Sequence, residues 1–398
     1  TVSCDGTNAR NVTITRQLIR EVTPLCATEP SRCSPQNARA GKGVEEHVYT
    51  VVLDFNTGGN MASLKNCAGK IRLTTGIPAR NGAINTGPIG TFFTFAEIDI
   101  AKAPCNTSPS LTSEPIAVLC CNQPFFFNNG ASDVTDFDSL SYEWSPPLRG
   151  WNQQLNYSGT NYSYQHPFQA YYPGRLAPPY NNINASPPIG VYLDPETGDI
   201  IFTPTRCDEV TVAVIKVKEW RKDTNGVMQN IGVTHRDLQF ITENCPDNNP
   251  PEVKGPYSYE VCEGSQICFN VETDDKPFIP PPPATPPLPD TVTNSWNRGI
   301  PGATYTIINP TARLQTGRFC WTPGAGTASS LPYSFTVTAR DDACPLNAVA
   351  VRAFRVRVKP RAEAERLIDT LDCGLYAFEA KPNDGFQGTP SYQWTLLD

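Results

Sequence analysis

The sequence predicts an all-β protein built as tandem β-sandwich domains in an extended array. Three observations carry this. The chain repeats itself: Cys121 to Asp133 aligns without a gap with Cys262 to Asp274, Thr197-Gly198 through Thr203-Pro204 echoes Thr316-Gly317 through Thr322-Pro323, and Cys105 and Cys245 lie 140 residues apart. Self-similarity at a fixed period marks a tandem array, and this period is long enough for each unit to hold its own core. Composition agrees, because 39 Pro, 28 Gly and only 18% charged residues in 398 disfavour helix and favour short strands joined by turns. Finally, 14 Cys are scattered without a CxxC and with only three His, which reads as disulfides rather than zinc and places the chain outside the cytosol.

Charge and hydropathy exclude other classes. A net charge of −7 argues against a nucleic-acid partner, which needs a basic patch. No apolar run is long enough to enter a membrane directly. Thr1-Val2-Ser3-Cys4 lacks the charged and apolar regions of a signal peptide, so a mature protein or a piece of one is expected.

Residues 1–104 are expected to form a first sandwich, with strands at 11–15 and 48–55. Cys26 and Cys33 bracket a polar loop that a disulfide would staple; Cys67 and Cys105 are the next candidates, leaving Cys4 to a partner outside the chain. Residues 105–245 form a second sandwich, with strands at 116–119, 124–127, 140–144, 190–193, 200–202, 211–217 and 238–242, and a long aromatic insertion at 145–188. Residues 246–360 form a third, carrying a polyproline II loop at 279–289 that cannot join a ladder because proline lacks the N–H. Residues 361–398 read as the truncated start of a fourth, with strands near 371–378 and 392–396 and no partner for Cys373.

In the gapless alignment Cys268 stands where unit two has Phe127, and Cys320 where it has Ile201. Paired replacement predicts two inward-facing positions that touch, and so a Cys268–Cys320 disulfide across the core of unit three.

Carboxylates and amides gather at unit ends: Asp133, Asp136 and Asp138; Asp247 and Asn249; Asp274 and Asp275; Asp341 and Asp342. Hard oxygen donors on flexible loops suit Ca²⁺, which would also offset their mutual repulsion. The structural alternative is that Asp and Asn serve as turn formers. Trp151, Tyr171 and Tyr172 stand in the aromatic insertion and could stack on sugar rings, or simply cover the edge of the sandwich. His47, His166 and His235 sit in no catalytic framework, so no enzyme is expected.

Cys245-Pro246-Asp247-Asn248-Asn249-Pro250-Pro251-Glu252-Val253 resembles the inter-domain linker of cadherins, and Val337-Thr338-Ala339-Arg340-Asp341-Asp342 resembles the cadherin strand and turn whose Asp holds calcium. The linker has one Asp where cadherins have more, and the Cys residues are foreign to that pattern. Most of the chain resembles the large secreted surface proteins of Bacteroidetes, notably gliding-motility adhesins exported by the type IX secretion system. The resemblance rests on Glu21-Val22-Thr23-Pro24-Leu25-Cys26, Gly43-Val44-Glu45-Glu46-His47-Val48-Tyr49-Thr50, Ala79-Arg80-Asn81-Gly82-Ala83-Ile84, Asp136-Phe137-Asp138-Ser139-Leu140, Leu193-Asp194-Pro195-Glu196-Thr197-Gly198 and His235-Arg236-Asp237-Leu238-Gln239-Phe240. The stretch from Cys373 to Trp394 resembles the opening of a PKD-type Ig-like domain. Asp138-Ser139-Leu140, Asp290-Thr291-Val292 and Asp369-Thr370-Leu371 match a short pattern resembling O-glycosylation sites of that phylum.

The resemblance implies Ig-like and cadherin-like modules of a bacterial cell-surface filament that mediates attachment and gliding motility. Its partners would be a polysaccharide or substratum, the neighbouring domains of the same chain, and the surface motor and secretion machinery. The C-terminal export signal of such proteins is absent from the sequence, as expected of a fragment. A carbohydrate-binding module working through the aromatic insertion is the alternative.

Overall fold

The computed structural model describes residues 1–26, 28–33, 43–56, 61–245, 248–277 and 290–361, and the backbone of Ala364–Asp372 and Leu375–Pro382. Asp247, the polyproline loop at 279–289, Cys373 and the strand expected at 392–396 lie outside the described residues. Among the described residues the chain is strands and turns, with one 3-10 turn at Ala62–Leu64 and no α-helix.

Units two and three are one fold built twice. In unit two, Ile116–Cys120 runs parallel to Met228–Glu243, which pairs antiparallel with Val210–Lys222, which pairs with Ser139–Trp144. The facing sheet orders Phe125–Asn128, Asp199–Phe202 and Tyr192–Leu193. In unit three, Ser258–Cys262 runs parallel to Val349–Lys359, followed by Tyr333–Arg340 and Thr293–Trp296. Its facing sheet orders Glu252–Val253, Ile267–Asp274, Thr316–Trp321 and Thr304–Ile307. An early strand parallel to the last, in an otherwise antiparallel pair of sheets, gives two Ig-like/cadherin-like sandwiches.

Each core is the apolar face of these strands. Unit two buries Leu119, Phe125, Phe127, Ile200, Phe202, Leu238 and Phe240; unit three buries Val271, Phe319, Phe335, Val337, Phe354 and Val356. The strand Val210–Lys222 is apolar on both faces because Ile84, from residues 1–104, covers Val212 and Val214 on the side away from the core.

Where a separate first sandwich was expected, Val2–Cys4, Thr7–Arg10, Lys70–Ile77 and Phe92–Asp99 extend the sheet of unit two. The join is Phe92–Asp99 against Met228–Glu243, with Ala96 opposite Thr234 and Ile98 opposite Gly232. Arg80 fixes it with a bidentate ion pair to Asp237 at 2.7 and 2.9 Å. The strands expected at 11–15 and 48–55 lie instead at Thr15–Glu21 and Glu45–Thr50, paired as an exposed hairpin.

Nor do units two and three meet only end to end. Asp199 of unit two is buried against unit three, accepting from Asn128 Nδ2 at 2.7 Å and the Ala353 N–H at 3.2 Å, with Arg352 Nε at 3.5 Å. Arg352 also stacks over Phe126 and Tyr257.

The disulfides correct several sequence-based pairings. Cys26 is bonded to Cys344, not Cys33, so a bridge spanning 318 residues ties the first unit to the third. The Leu25–Leu346 bridge and the Asn347 N–H to Pro24 C=O bond hold the same crossing. Cys67 is bonded to Cys4, which needs no outside partner, while Cys33 and Cys105 are free thiols. Cys120–Cys245 and Cys121–Cys207 close unit two.

Cys268 and Cys320 are bonded, but as direct neighbours on adjacent strands of one sheet, facing outward. The gapless alignment was one residue out of register. Ile200 faces Phe127 in unit two and Phe319 faces Phe269 in unit three, so Cys268 and Cys320 match the Phe126–Ile201 pair. A one-residue slip moves a side chain to the opposite face.

Candidate functional site

The two sandwiches share more than strands. Trp144 faces Ile215 in unit two, and Trp296 faces Val337 in unit three. Counting from these pairs, Asp138 and Asp290 each lie six residues before the Trp, while Glu219 and Asp341 each lie four residues beyond its partner. At the opposite sheet, Ser132 pairs with Ser110 and Asp274 with Glu252, so Asp133 matches Asp275 and the linker residue Asn106 matches Asn248. Four oxygen-bearing side chains therefore recur at the head of each sandwich: Asn106, Asp133, Asp138 and Glu219, then Asn248, Asp275, Asp290 and Asp341.

Strand alternation explains one member of each set. Ala213, Ile215, Val217 and Glu219 share the inward face of their strand, as do Phe335, Val337, Ala339 and Asp341. A carboxylate closing an apolar stripe has left water and must find partners.

In unit two the partners are visible. Asn106 Nδ2 donates to Glu219 Oε2 at 2.6 Å. Arg221 grips Asp138 with Nε and Nη2, both at 2.7 Å, and its Nη2 reaches Asn106 Oδ1 at 2.9 Å and Asp136 Oδ2 at 3.1 Å. Asp133 Oδ1 accepts from the Thr135 and Asp136 N–H groups, and Thr107 N–H donates to Asp136. Carboxylate oxygens of Asp133, Asp136 and Asp138 all lie within 4.8 Å of one another. Burial, helped by the charges of Asp133 and Asp138, pushes Glu219 up to about 7. Burial likewise raises Asp133.

Unit three repeats the linker bond, Asn248 Nδ2 to Asp341 Oδ2 at 3.0 Å. Asp341 Oδ1 also accepts from the Ala343 and Ala348 N–H groups. Asp275 Oδ2 accepts from Asp290 N–H, and Asp342 Oδ1 from Thr291 N–H. Asp275 is only 5% exposed and Asn248 8%, yet Asp275 Oδ1 and Asn248 Oδ1 have no hydrogen-bond partner. Burial, then the charges of Asp290, Asp341 and Asp274, pushes Asp275 up to about 7; burial pushes Asp341 up to about 6.

The residues nominated from sequence divide accordingly. The structure brings Asp133, Asp136 and Asp138 together, and sets Asp275, Asp341 and Asp342 around Asp290. Asp274 turns away to Lys254 at 2.8 Å, which lowers its carboxyl, and Asn249 donates to Lys276 C=O at 2.8 Å. Asn106, Glu219 and Asp290 were missed, while Asn248 belongs to the linker run Asp247-Asn248-Asn249 whose oxygens suit Ca²⁺. The acid on an apolar strand face would have revealed Glu219, and the repeated Asp-Ser/Thr-apolar motif contains Asp138 and Asp290.

The three aromatics do not form one platform. Trp151 lies over the Arg72 guanidinium at 3.3 Å and edge-on to Phe95, covering the joined sheet. Tyr171 hydrogen-bonds through its backbone to Thr203 and Gly190. Tyr172 lines a separate cavity of about 430 Å3 with Tyr162, His166, Phe168 and Gln169. His235 is stacked on Phe95, and His47 reaches Glu45 on the exposed hairpin.

No family model matches the chain, and no curated protein matches it. Solved structures that match include Dpr2 Ig1–Ig2 in complex with DIP-Theta, at 11% identity, covering 64% of this chain and all of that one, with a TM-score of 0.22. Protocadherin gamma B2 extracellular cadherin domains 1–5 match at 12% identity over 91% of this chain and 54% of that one, TM-score 0.22. The sialic-acid-binding region of a Streptococcus sanguinis adhesin matches at 12% over 64% of this chain and 78% of that one, TM-score 0.22. Likeness this low carries no argument, and the fold assignment rests on strand order and pairing.

Proposed function

We propose that this chain is a stiffened structural and adhesive segment of an exported bacterial cell-surface protein, in which calcium and disulfides hold successive sandwiches in fixed relation. The observation that carries the reading is the recurrence of one carboxylate and amide site at the head of each sandwich, beside the linker that enters it. A divalent ion there would draw linker, strand end and turn together. Hard oxygen donors alone fit Ca²⁺. Five disulfides among the described residues support an oxidising compartment, and the bridge from Cys26 to Cys344 ties the first unit to the third. No helix among the described residues is long and apolar enough to cross a membrane. In this reading the partners are a polysaccharide or substratum and the neighbouring modules, and attachment gains from many weak contacts on one tether. A role in gliding motility, with export by type IX machinery, follows from the motif resemblance.

The test is a thermal melt with calcium and with chelator. An ion bound only by the folded chain raises the melting temperature, and an unchanged temperature refutes the calcium brace.

A second reading, a carbohydrate-binding module, is favoured by the cavity at Tyr172. His166 Nδ1 is buried there without a hydrogen-bond partner. A glycan array probed with the intact chain and with Tyr172→Ala decides it: binding lost on substitution supports this reading, and no binding by the intact chain removes it.

A further inference from the structure

The two head sites differ most in one respect. In unit two, Arg221 stands two residues beyond Glu219, opposite Asp138 on the neighbouring strand. Two residues beyond Asp341 stands Ala343, which has no charge and no reach. The consequence is visible atom by atom. Asn106 Oδ1 accepts from the Arg221 guanidinium at 2.9 Å, whereas Asn248 Oδ1, its counterpart, is buried and accepts from nothing. Asp138 is held bidentately, whereas among the described residues Asp290 has no such clamp, and the charge of Arg313 is what lowers it. Unit three also adds an acid, because Asp342 takes the position of Trp220.

Charge follows the same division. Asp136 and Asp138 close on the guanidinium, and Asp133 joins them within 4.8 Å. Among the described residues no three carboxylates of the unit-three site come that close. Like charges with nothing between them stay apart. Asp133 Oδ2 and Glu219 Oε1 are unpartnered in unit two. That site already holds one fixed positive charge, the Arg221 guanidinium.

We infer that Arg221 is the built-in cation of the unit-two site, and that the unit-three site, with Ala343 in the corresponding place, takes one exchangeable Ca²⁺ held by Asn248 Oδ1, Asp275 and Asp341. Asp290 and Asp342 supply further charge. The donor set is all oxygen, carboxylate and amide carbonyl, which is the set calcium prefers and thiophilic metals do not. This inference rests on the calcium reading of the function and sharpens it: one joint is locked permanently by an arginine, and the next only when calcium is present.

The experiment is isothermal titration of Ca²⁺ into the full chain, comparing the unaltered protein with Asp275→Asn, Arg221→Met and Ala343→Arg, each checked for fold by far-UV circular dichroism. The unaltered chain binds one ion. Asp275→Asn weakens it at least tenfold, Arg221→Met gains a second ion at the unit-two site, and Ala343→Arg loses the first. Ala343 is buried, so Asp275→Asn and Arg221→Met carry the test if Ala343→Arg does not fold. If the unaltered chain binds no calcium, the inference and the calcium brace fall together. If it binds one ion that Asp275→Asn leaves untouched, or if Arg221→Met gains none, the division between the sites is overturned while a calcium brace elsewhere stands.

Discussion

The Arg80–Asp237 pair is the sharpest test of whether residues 1–104 and unit two unfold as one body. The two side chains are 2% and 6% exposed, and the pair is bidentate at 2.7 and 2.9 Å, with Arg80 Nη2 also donating to Leu148 C=O at 3.2 Å. Replacing Arg80 by Met keeps much of the apolar stem and removes the charge, leaving the Asp237 carboxylate buried among strands. Breaking one partner of a buried pair costs about 3–5 kcal/mol, because the remaining charge is uncompensated. In a cooperative body of this size each kcal/mol moves the melting temperature by about 2–4 °C, so a fall of about 10 °C is expected. Arg80→Met with Asp237→Leu restores most of it, since replacing both partners by apolar groups removes the orphaned charge. Differential scanning calorimetry reads the result as one transition shifted whole. A loss below about 1 kcal/mol, the size of a surface pair, refutes the buried-clamp argument. Two transitions with only one displaced refute the shared sheet.

Three further outcomes follow from the same structure. In chelator, the melting temperature falls as pH rises from about 4 to about 7. The folded chain holds protons on Glu219 and Asp275 up to about 7 and on Asp341 and Asp199 up to about 6, all above the unfolded value near 4. Buried His235, lowered to about 4, opposes this trend as a single group, and saturating calcium removes the part due to Asp275 and Asp341; a melting temperature that rises through this window in chelator contradicts the assignment. Replacing Cys26 and Cys344 together by Ser destabilises by about 5 kcal/mol on the chain-entropy model, because bridges of separation 125 and 52 shorten the 318-residue loop to about 140. Denaturant unfolding measures it, and a loss under about 1 kcal/mol shows that the crossing constrains nothing. Trp151→Ala costs about 1–2 kcal/mol through lost stacking on Arg72 and Phe95 and leaves any glycan binding unchanged; an array signal that vanishes with this change overturns the structural role given to Trp151.

Fold class was legible because it is written in local chemistry. β-Branched runs such as Val210–Lys222, turn residues between them and the repeat at Cys121 and Cys262 all report on neighbouring residues. Disulfide partners were not, because pairing is a property of the folded chain: Cys26 lies seven residues from Cys33 but meets Cys344. Register was nearly legible. The exchange of Phe126 and Ile201 for Cys268 and Cys320 was found one residue off, and that slip alone turned an outward bridge into an expected core one. At the head sites, acids on turns were easy to nominate, yet Glu219 required asking which strand face it shares, and Asn248 required knowing which linker amide points inward. The role of Arg221 emerges only when the two units are laid in register, since nothing in Trp220-Arg221-Lys222 by itself distinguishes a structural cation from a solvated one.

The most direct measurement is a crystal structure of the chain grown in calcium, read through its anomalous difference map. A single peak bounded by Asn248, Asp275 and Asp341, with Arg221 still clasping Asp138, is the predicted result. A map without density at that position, or with a peak that has displaced the guanidinium from Asp138, contradicts it.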